Sequence, residues 1–198
     1  MSDQTRHPEA PAPIAVLVSG AGTNLQALLD TVHGHEAQIV AVASNVAGAQ
    51  AIERAAARDI PTAVFAHSAY PDREARDEAL ADWLSSRGAR LIVLAGFMEL
   101  LSERFPQAVI NVHPSLLPAY PGLHAIEQAL AHGEEVFGVT VHYVDAGIDT
   151  GPIIAQRSVR LPGAGDPAEV LKALRPLEHT LLPEAVRRIV AQQHPIAA

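Results

Sequence analysis

Residues 14–32 read IAVLVSGAGTNLQALLDTV. Five apolar residues, Ile14 to Val18, run directly into Ser19-Gly20-Ala21-Gly22-Thr23-Asn24, and from Asn24 to Val32 the leucines recur at helical spacing. A short unbroken apolar run, a glycine-rich turn and a helix form one strand-turn-helix unit of the kind that builds parallel sheets. A parallel strand is covered on both faces, so it needs no polar alternation. The turn brings backbone N–H groups and a helix N-terminus to one point, which suits an anion without requiring a lysine. Its glycines allow close approach of a phosphate, and Ser19, Thr23 and Asn24 are candidates for added hydrogen bonds, although any tight turn capped by Thr or Asn has the same form. A dinucleotide site is disfavoured. The spaced third glycine is missing, and Ser44-Asn45 stand where an acidic residue would close the second strand.

The same texture continues along the chain. Further strands are expected at Ile39–Ala43, Thr62–Phe65, Leu91–Leu94 and Val109–Val112, and helices at Ala49–Arg58 and Asp72–Ser86, the latter marked by Ala75, Ala79, Leu80 and Trp83. Beyond residue 122 the pattern changes to a short helix, Ala125–Ala131, and two strand candidates, Gly138–Val144 and Ile153–Val159, flanking the AGIDTGP loop. A final helical stretch, Pro167–Ala191, contains Pro176 and Pro183, which are expected to break or kink it. The fold class expected is a single α/β domain over residues 13–198, Rossmann-like, with a mostly parallel central sheet, helices on both faces and an antiparallel or mixed C-terminal part. Residues 1–12, rich in Pro and Ala, are expected to be a disordered tail.

Composition narrows the function. With 198 residues, 48% of them hydrophobic, the chain can bury one good core. Against 22 Asp+Glu there are only 14 Lys+Arg, so phosphate neutralisation along a nucleic acid is not expected. The absence of Cys excludes disulfides, thiolate zinc sites and Cys nucleophiles. No apolar run reaches membrane-spanning length, and MSDQTRHPEAPAP lacks the apolar segment of a signal peptide; no membrane partner and a cytoplasmic location are expected. His124, His142 and His179, taken with His113, lack the spacing of metal-ligand motifs, so no metal is expected. His142 shares a strand face with Thr140 and Val144 and is expected to support or pack.

The chemistry concentrates in INVHPSLLPAYPG, residues 110–122. Asn111 and His113 stand two apart at the end of an apolar run, so their side chains share one strand face where open α/β sheets build their sites. Either residue alone fits a plain structural role, an Asn satisfying loop backbone or a His packing beside Pro114. Asp149, in GIDTGPI, adds a carboxylate that would orient an imidazole and favour its charged form if the two meet. The stretch Phe97-Met98-Glu99-Leu100-Leu101 suits either core or the wall of a pocket for a flat aromatic ligand.

Taken together, VLVSGAGTNLQALLD, VLAGFMELLS, INVHPSLLPAYPGLHA, GVTVHYVDAGIDTGPIIAQ and Glu178-His179 resemble the folate-dependent glycinamide ribonucleotide transformylases, or phosphoribosylglycinamide formyltransferases. The resemblance covers most of the chain and implies the formyltransferase fold. It implies transfer of the formyl group of 10-formyltetrahydrofolate, as co-substrate, to the amine of N1-(5-phospho-D-ribosyl)glycinamide in purine synthesis. Small-molecule substrates, no metal, and a monomer or homodimer go with it. By position, it implies Asn111, His113 and Asp149 as catalytic residues. Gly20, Ala21, Gly22, Thr23 and Asn24 correspond to the ribonucleotide phosphate loop, with Arg73 and Glu178 as further contacts. Phe97, Met98, Glu99, Leu100 and Leu101, with Val144, Asp145, Ala146, Gly147 and Ile148, correspond to the folate pocket, largely through backbone. The N-terminal half would thus bind ribonucleotide phosphate, and the C-terminal half would bind folate and carry the chemistry. Glu99 departs from the family pattern, which has a basic residue there, and the chain ends soon after its last helix, without the extra strands of some relatives. The alternatives are a related formyltetrahydrofolate enzyme, either a deformylase or one with another amine acceptor, and a non-catalytic nucleotide or folate binding module.

Overall fold

The computed structural model describes residues 10–102, 104, 105 and 107–193. Seven strands form one sheet in the order β3-β2-β1-β4-β5-β6-β7. They are β1 (Ala12–Val18), β2 (Ala37–Ser44), β3 (Thr62–Val64), β4 (Leu91–Leu94), β5 (Ala108–His113), β6 (Val136–Tyr143) and β7 (Ile153–Arg160). β1 to β5 run parallel, whereas β6 is antiparallel to β5 and β7 to β6. The helices are α1 (Thr23–Thr31), α2 (Gln50–Ala56), α3 (Arg73–Ser86), α4 (Ala125–Ala131) and α5 (Pro167–Gln193). Most of the disordered tail expected over residues 1–12 lies outside the described residues; Ala12 is already in β1, paired with Ala37. No described helix is long and apolar enough to cross a membrane.

The two sheet faces are covered unequally. Ile14, Val16 and Val18 of β1, with Leu91, Val93, Ile110, Val139 and Val141, pack under α1, α2, α4 and α5. The opposite face, with Ala15, Leu17, Ala41, Ala43, Ile92 and Leu94, meets only α3, through Leu80 and Leu84. Burial on both sides explains why Ile14 to Val18 are all inaccessible to solvent and read as one unbroken apolar run. Asp72 caps α3, its Oδ1 accepting from the Ala75 N–H at 2.8 Å. β7, an edge strand, is largely exposed and carries Arg157 and Arg160, charges that discourage edge pairing.

Of the break or kink expected at the prolines of the last helix, the break does not occur. Residues 167–193 form one continuous helix, so Pro176 and Pro183 do not break it. Each proline removes one backbone bond and costs roughly 3 kcal/mol. Against this, the helix buries Val170, Leu174, Leu181, Leu182, Val186, Ile189 and Val190, at roughly 1.5–3 kcal/mol for each large aliphatic side chain. Packing therefore outweighs the local penalty, and Thr180 Oγ1 donates to the Pro176 carbonyl at 2.9 Å across the turn between the prolines.

Two features of the topology create a site. Between β1 and β4 the sheet order reverses direction, and the loops leaving those strands meet there, the Ser19 N–H donating to the Gly96 carbonyl at 3.1 Å. On the α3 face, residues at the start of β5, the end of β6 and the adjoining loops line a cleft, among them Val109, Tyr143 and Leu101.

Candidate active site

β5 ends at His113, and Asn111 lies opposite His142 of antiparallel β6. Val109, Asn111 and His113 share the face turned away from Ile110 and Val112, which are in the core. The loop between β6 and β7 returns Asp149 to this point with φ +55°, a left-handed conformation that Asp tolerates better than most residues. Gly147 and Gly151 allow the return. A Cβ on Gly151 would collide with the Tyr143 carbonyl oxygen, and one on Gly147 with the Thr150 hydroxyl. Asp145 Oδ1 braces the turn by accepting from the Gly147 N–H at 3.0 Å and the Thr150 hydroxyl at 2.7 Å.

The Asp149 carboxylate gathers four groups. Oδ1 lies 3.3 Å from Asn111 Nδ2 and 3.4 Å from His142 Nε2. Oδ2 accepts from the Gly122 N–H at 2.8 Å and sits 3.3 Å from His113 Nδ1. Burial works against ionisation, but the His142 contact, the Gly122 N–H and the charges of His113 and His142 prevail and hold Asp149 at about 2, below its ordinary 3.8. On its other side, His113 Nε2 lies 2.9 Å from the Tyr120 carbonyl. An imidazole set between a carbonyl and a carboxylate has an acceptor on each side of its ring.

His142 comes closer to the site than its strand pattern implied. It is buried, its Nδ1 is 2.8 Å from the Tyr143 carbonyl, and its Nε2 faces both Asp149 and Asn111 Nδ2, the latter at 3.4 Å. Period-two alternation gave its face, but the register of β6 on β5 is not readable across the long connection through α4. The loop after His113 is tied down as well. Thr140 Oγ1 donates to the Ser115 carbonyl and accepts from the Leu117 N–H, which steadies the segment that carries the Tyr120 carbonyl.

The glycine-rich turn starts α1, with Gly22 at φ +70° immediately before it. Gly22 is required twice over, by this φ and because a Cβ there would sit 2.6 Å from Ala51 Cβ of α2. Gly20 faces open space. Ala21 is fixed by Arg54 Nε, which donates to its carbonyl at 2.8 Å. Asn24 Nδ2 donates to Glu178 Oε2 at 3.0 Å, joining α1 to α5 across 154 residues of sequence. Burial raises Glu178, outweighing the Asn24 hydrogen bond and the charges of His179 and Arg175, and Asn24 Oδ1 is buried without a partner. Ser19 is engaged within the protein: its hydroxyl donates to Asn45 Oδ1 at 2.6 Å and accepts the Met98 N–H at 2.8 Å. Arg73, exposed at the start of α3, has Glu74 at 3.6 Å as its ion-pair partner and is not brought into contact with the turn.

Of the residues expected around the folate, Leu101, Val144, Asp145 and Ala146 line one cleft of about 250 Å³. Phe105, Val109 and Tyr143, not anticipated from sequence, complete its apolar wall. Met98, Leu100 and Ile148 are exposed beside it, whereas Gly147 belongs to the braced turn. Glu99 turns away: its carboxylate pairs with the buried Arg76 and accepts from Asn45 Nδ2 at 2.8 Å. Among the described residues, no group of three His, Cys, Asp or Glu side chains is placed to hold a metal ion.

A family model described as formyl transferase matches residues 12–186. The chain belongs to the formyl transferase family. Within it, the chain is 38% identical over 180 residues to the phosphoribosylglycinamide formyltransferase of Haemophilus influenzae, covering 88% of this chain and 85% of that protein. It is also 45% identical over 181 residues to the trifunctional purine biosynthetic protein adenosine-3 of Drosophila pseudoobscura pseudoobscura. That match covers 87% of this chain but only 13% of the fly protein, so the chain spans about an eighth of that relative's length. Among solved structures, glycinamide ribonucleotide transformylase 1 from Symbiobacterium toebii superposes with a TM-score of 0.87 at 40% identity, covering 92% of this chain and 89% of that one. The phosphoribosylglycinamide formyltransferase from Bacillus halodurans gives 0.86 at 32% identity, covering 93% and 98%. The sheet order, with its antiparallel end, is thus that of a formyl transferase.

Proposed function

We propose that the protein transfers the formyl group of 10-formyltetrahydrofolate to the amine of N1-(5-phospho-D-ribosyl)glycinamide in the cytoplasm, as a step of purine synthesis. The observation that carries this is the convergence of Asn111, His113 and Asp149 at the ends of β5 and the β6–β7 loop, beside the cleft of about 250 Å³. The ribonucleotide phosphate would sit over Gly20–Asn24, where Gly20 leaves open space and α1 presents its N-terminus. Glu178 and the unpartnered Asn24 Oδ1 offer acceptors for hydroxyl groups nearby.

In the reaction the amine nitrogen forms a bond to the formyl carbon and gives a tetrahedral oxyanion. That intermediate collapses as the bond from carbon to N10 of the folate breaks, and one proton passes from the attacking nitrogen to N10. Asn111 donates an amide N–H to the oxyanion, a contribution of about 3–4 kcal/mol for one such donor. His113, held between the Tyr120 carbonyl and Asp149, stabilises the same charge. Asp149 first organises these two groups. A carboxylate held at about 2 is a weak resting base, so it relays a proton only from the acidic ammonium of the intermediate, through water. Such assistance is typically worth about 10²–10⁴-fold.

Donor carrying an isotopically labelled formyl carbon tests this assignment. Label recovered in the amide of the ribonucleotide product supports it, while label released as formate points to a deformylase.

A further inference from the structure

Packing holds the segment 96–101 only at Phe97 and Leu101, which lie against the core on the α3 face. Met98 and Leu100 are 69% and 54% exposed, and Phe97 and Leu101 are only half buried. The segment's exposed middle is held by a chain of polar contacts unrelated to the Asn/His/Asp cluster. Arg76 and Asp77 of α3 are fully buried and joined through the guanidinium, with Arg76 Nε and Nη2 donating to Asp77 Oδ1 at 2.9 and 2.7 Å. The pair grips the segment at three points. Arg76 forms the ion pair with Glu99 and donates from Nη2 to the Leu100 carbonyl at 3.3 Å, and Asp77 Oδ2 accepts the Ser102 N–H at 2.6 Å. From the other side Asn45 Nδ2 reaches Glu99 Oε1, while Asn45 Oδ1 takes the Ser19 hydroxyl that in turn accepts the Met98 N–H.

We propose that Arg76 and Glu99 are a positioning pair for the formyl donor: their ion pair fixes residues 97–101 as one lip of the folate cleft, so that it sets affinity for the folate and not the rate of transfer. The proposal rests on the folate reading of the cleft above. Two observations separate it from a generic buried salt bridge. The carboxylate anchors a loop whose apolar tips face solvent, and the same network ends at Ser19, immediately before the turn assigned to the ribonucleotide. Because Glu99 is consumed by Arg76 and Asn45, the lip offers the ligand the Leu101 side chain that lines the cleft, the exposed Met98 and Leu100 beside it, and backbone groups. That favours a flat, largely apolar ring system over an anionic one.

The test is a double-mutant cycle on Glu99→Gln and Arg76→Gln, read by KM for each substrate, kcat, and calorimetric titration with 10-formyl-5,8-dideazafolate. Loss of one charge-assisted contact is expected to raise the donor KM and the Kd of the analogue about tenfold in Glu99→Gln, equivalent to about 1.4 kcal/mol. In that variant kcat and the ribonucleotide KM stay within about twofold. Adding Arg76→Gln should weaken binding little further, since both changes remove one interaction. If Arg76→Gln fails to fold, Asn45→Ala replaces it, with the same direction expected. A folded Glu99→Gln protein with unchanged donor KM and analogue Kd would overturn the proposal, as would a fall in melting temperature alone. Titration reads the lip independently of turnover: an analogue that binds wild type but forms no product indicts the assigned reaction and leaves the positioning pair to be judged by Kd. Failure of wild type to bind the analogue overturns both.

Discussion

Replacing Asp149 by Asn should make the protein's stability less sensitive to acid. The substitution keeps the volume and tolerates φ +55°, and its amide oxygen can still accept from the Gly122 N–H. It removes the negative charge that His113 and His142 face at 3.3 and 3.4 Å. In wild type the carboxyl is held at about 2 instead of 3.8. Each tenfold in proton affinity is worth about 1.4 kcal/mol, so the ionised group contributes roughly 2 kcal/mol to folding. Because the folded-state value is depressed, that stability is present above about pH 4 and is lost as pH falls from there through 2. Urea unfolding of both proteins at pH 6 and at pH 2.5 reads the difference. Wild type should exceed the variant by roughly 2 kcal/mol at the higher pH, and most of the gap should vanish at the lower. A gap that does not change with pH would refute the electrostatic account of this cluster.

Glu178→Gln should act in the opposite sense on the unliganded protein. Burial raises the Glu178 carboxyl, so its ionised form is unfavourable as pH rises, and a neutral amide should raise the melting temperature at pH 7.5 while the ribonucleotide KM rises too. Gly151→Ala drives a Cβ into the Tyr143 carbonyl. The overpacking should cost about 1–3 kcal/mol and, by shifting the loop that carries Asp149, lower kcat; denaturation midpoints and steady-state rates check both. Asn111→Ala should retain the far-UV circular dichroism of wild type and lose about 10²–10³ in kcat, the usual cost of one oxyanion donor.

How far the sequence reached depended on whether local rules or tertiary contacts governed each feature. β4 and α4 have the bounds their residues announce, because apolar blocks and turns delimit them. β1 and β2 each start two residues early, since pairing of Ala12 with Ala37 extends them beyond their β-branched runs. The continuity of α5 through Pro176 and Pro183 was unreadable locally, as it depends on what the helix packs against. For the site, the spacing of Asn111 and His113 placed both on one face; that Asp149 joins them came only from the family resemblance, and nothing in the chain told that His142 faces Asn111. Glu178 entered only through family resemblance, as a ribonucleotide contact, and its hydrogen bond to Asn24 is a tertiary contact that no local rule foretells. Arg76 and Asp77 have no local sequence signal of burial, which follows from the loop that folds over them.

The central claim is most directly tested by following donor absorbance with wild type and Asp149→Asn, each with and without the glycinamide ribonucleotide. The account predicts turnover in wild type only when the ribonucleotide is present, falling by at least about 10²-fold in the folded variant. Donor consumption without the ribonucleotide, or an undiminished rate in Asp149→Asn, would contradict it.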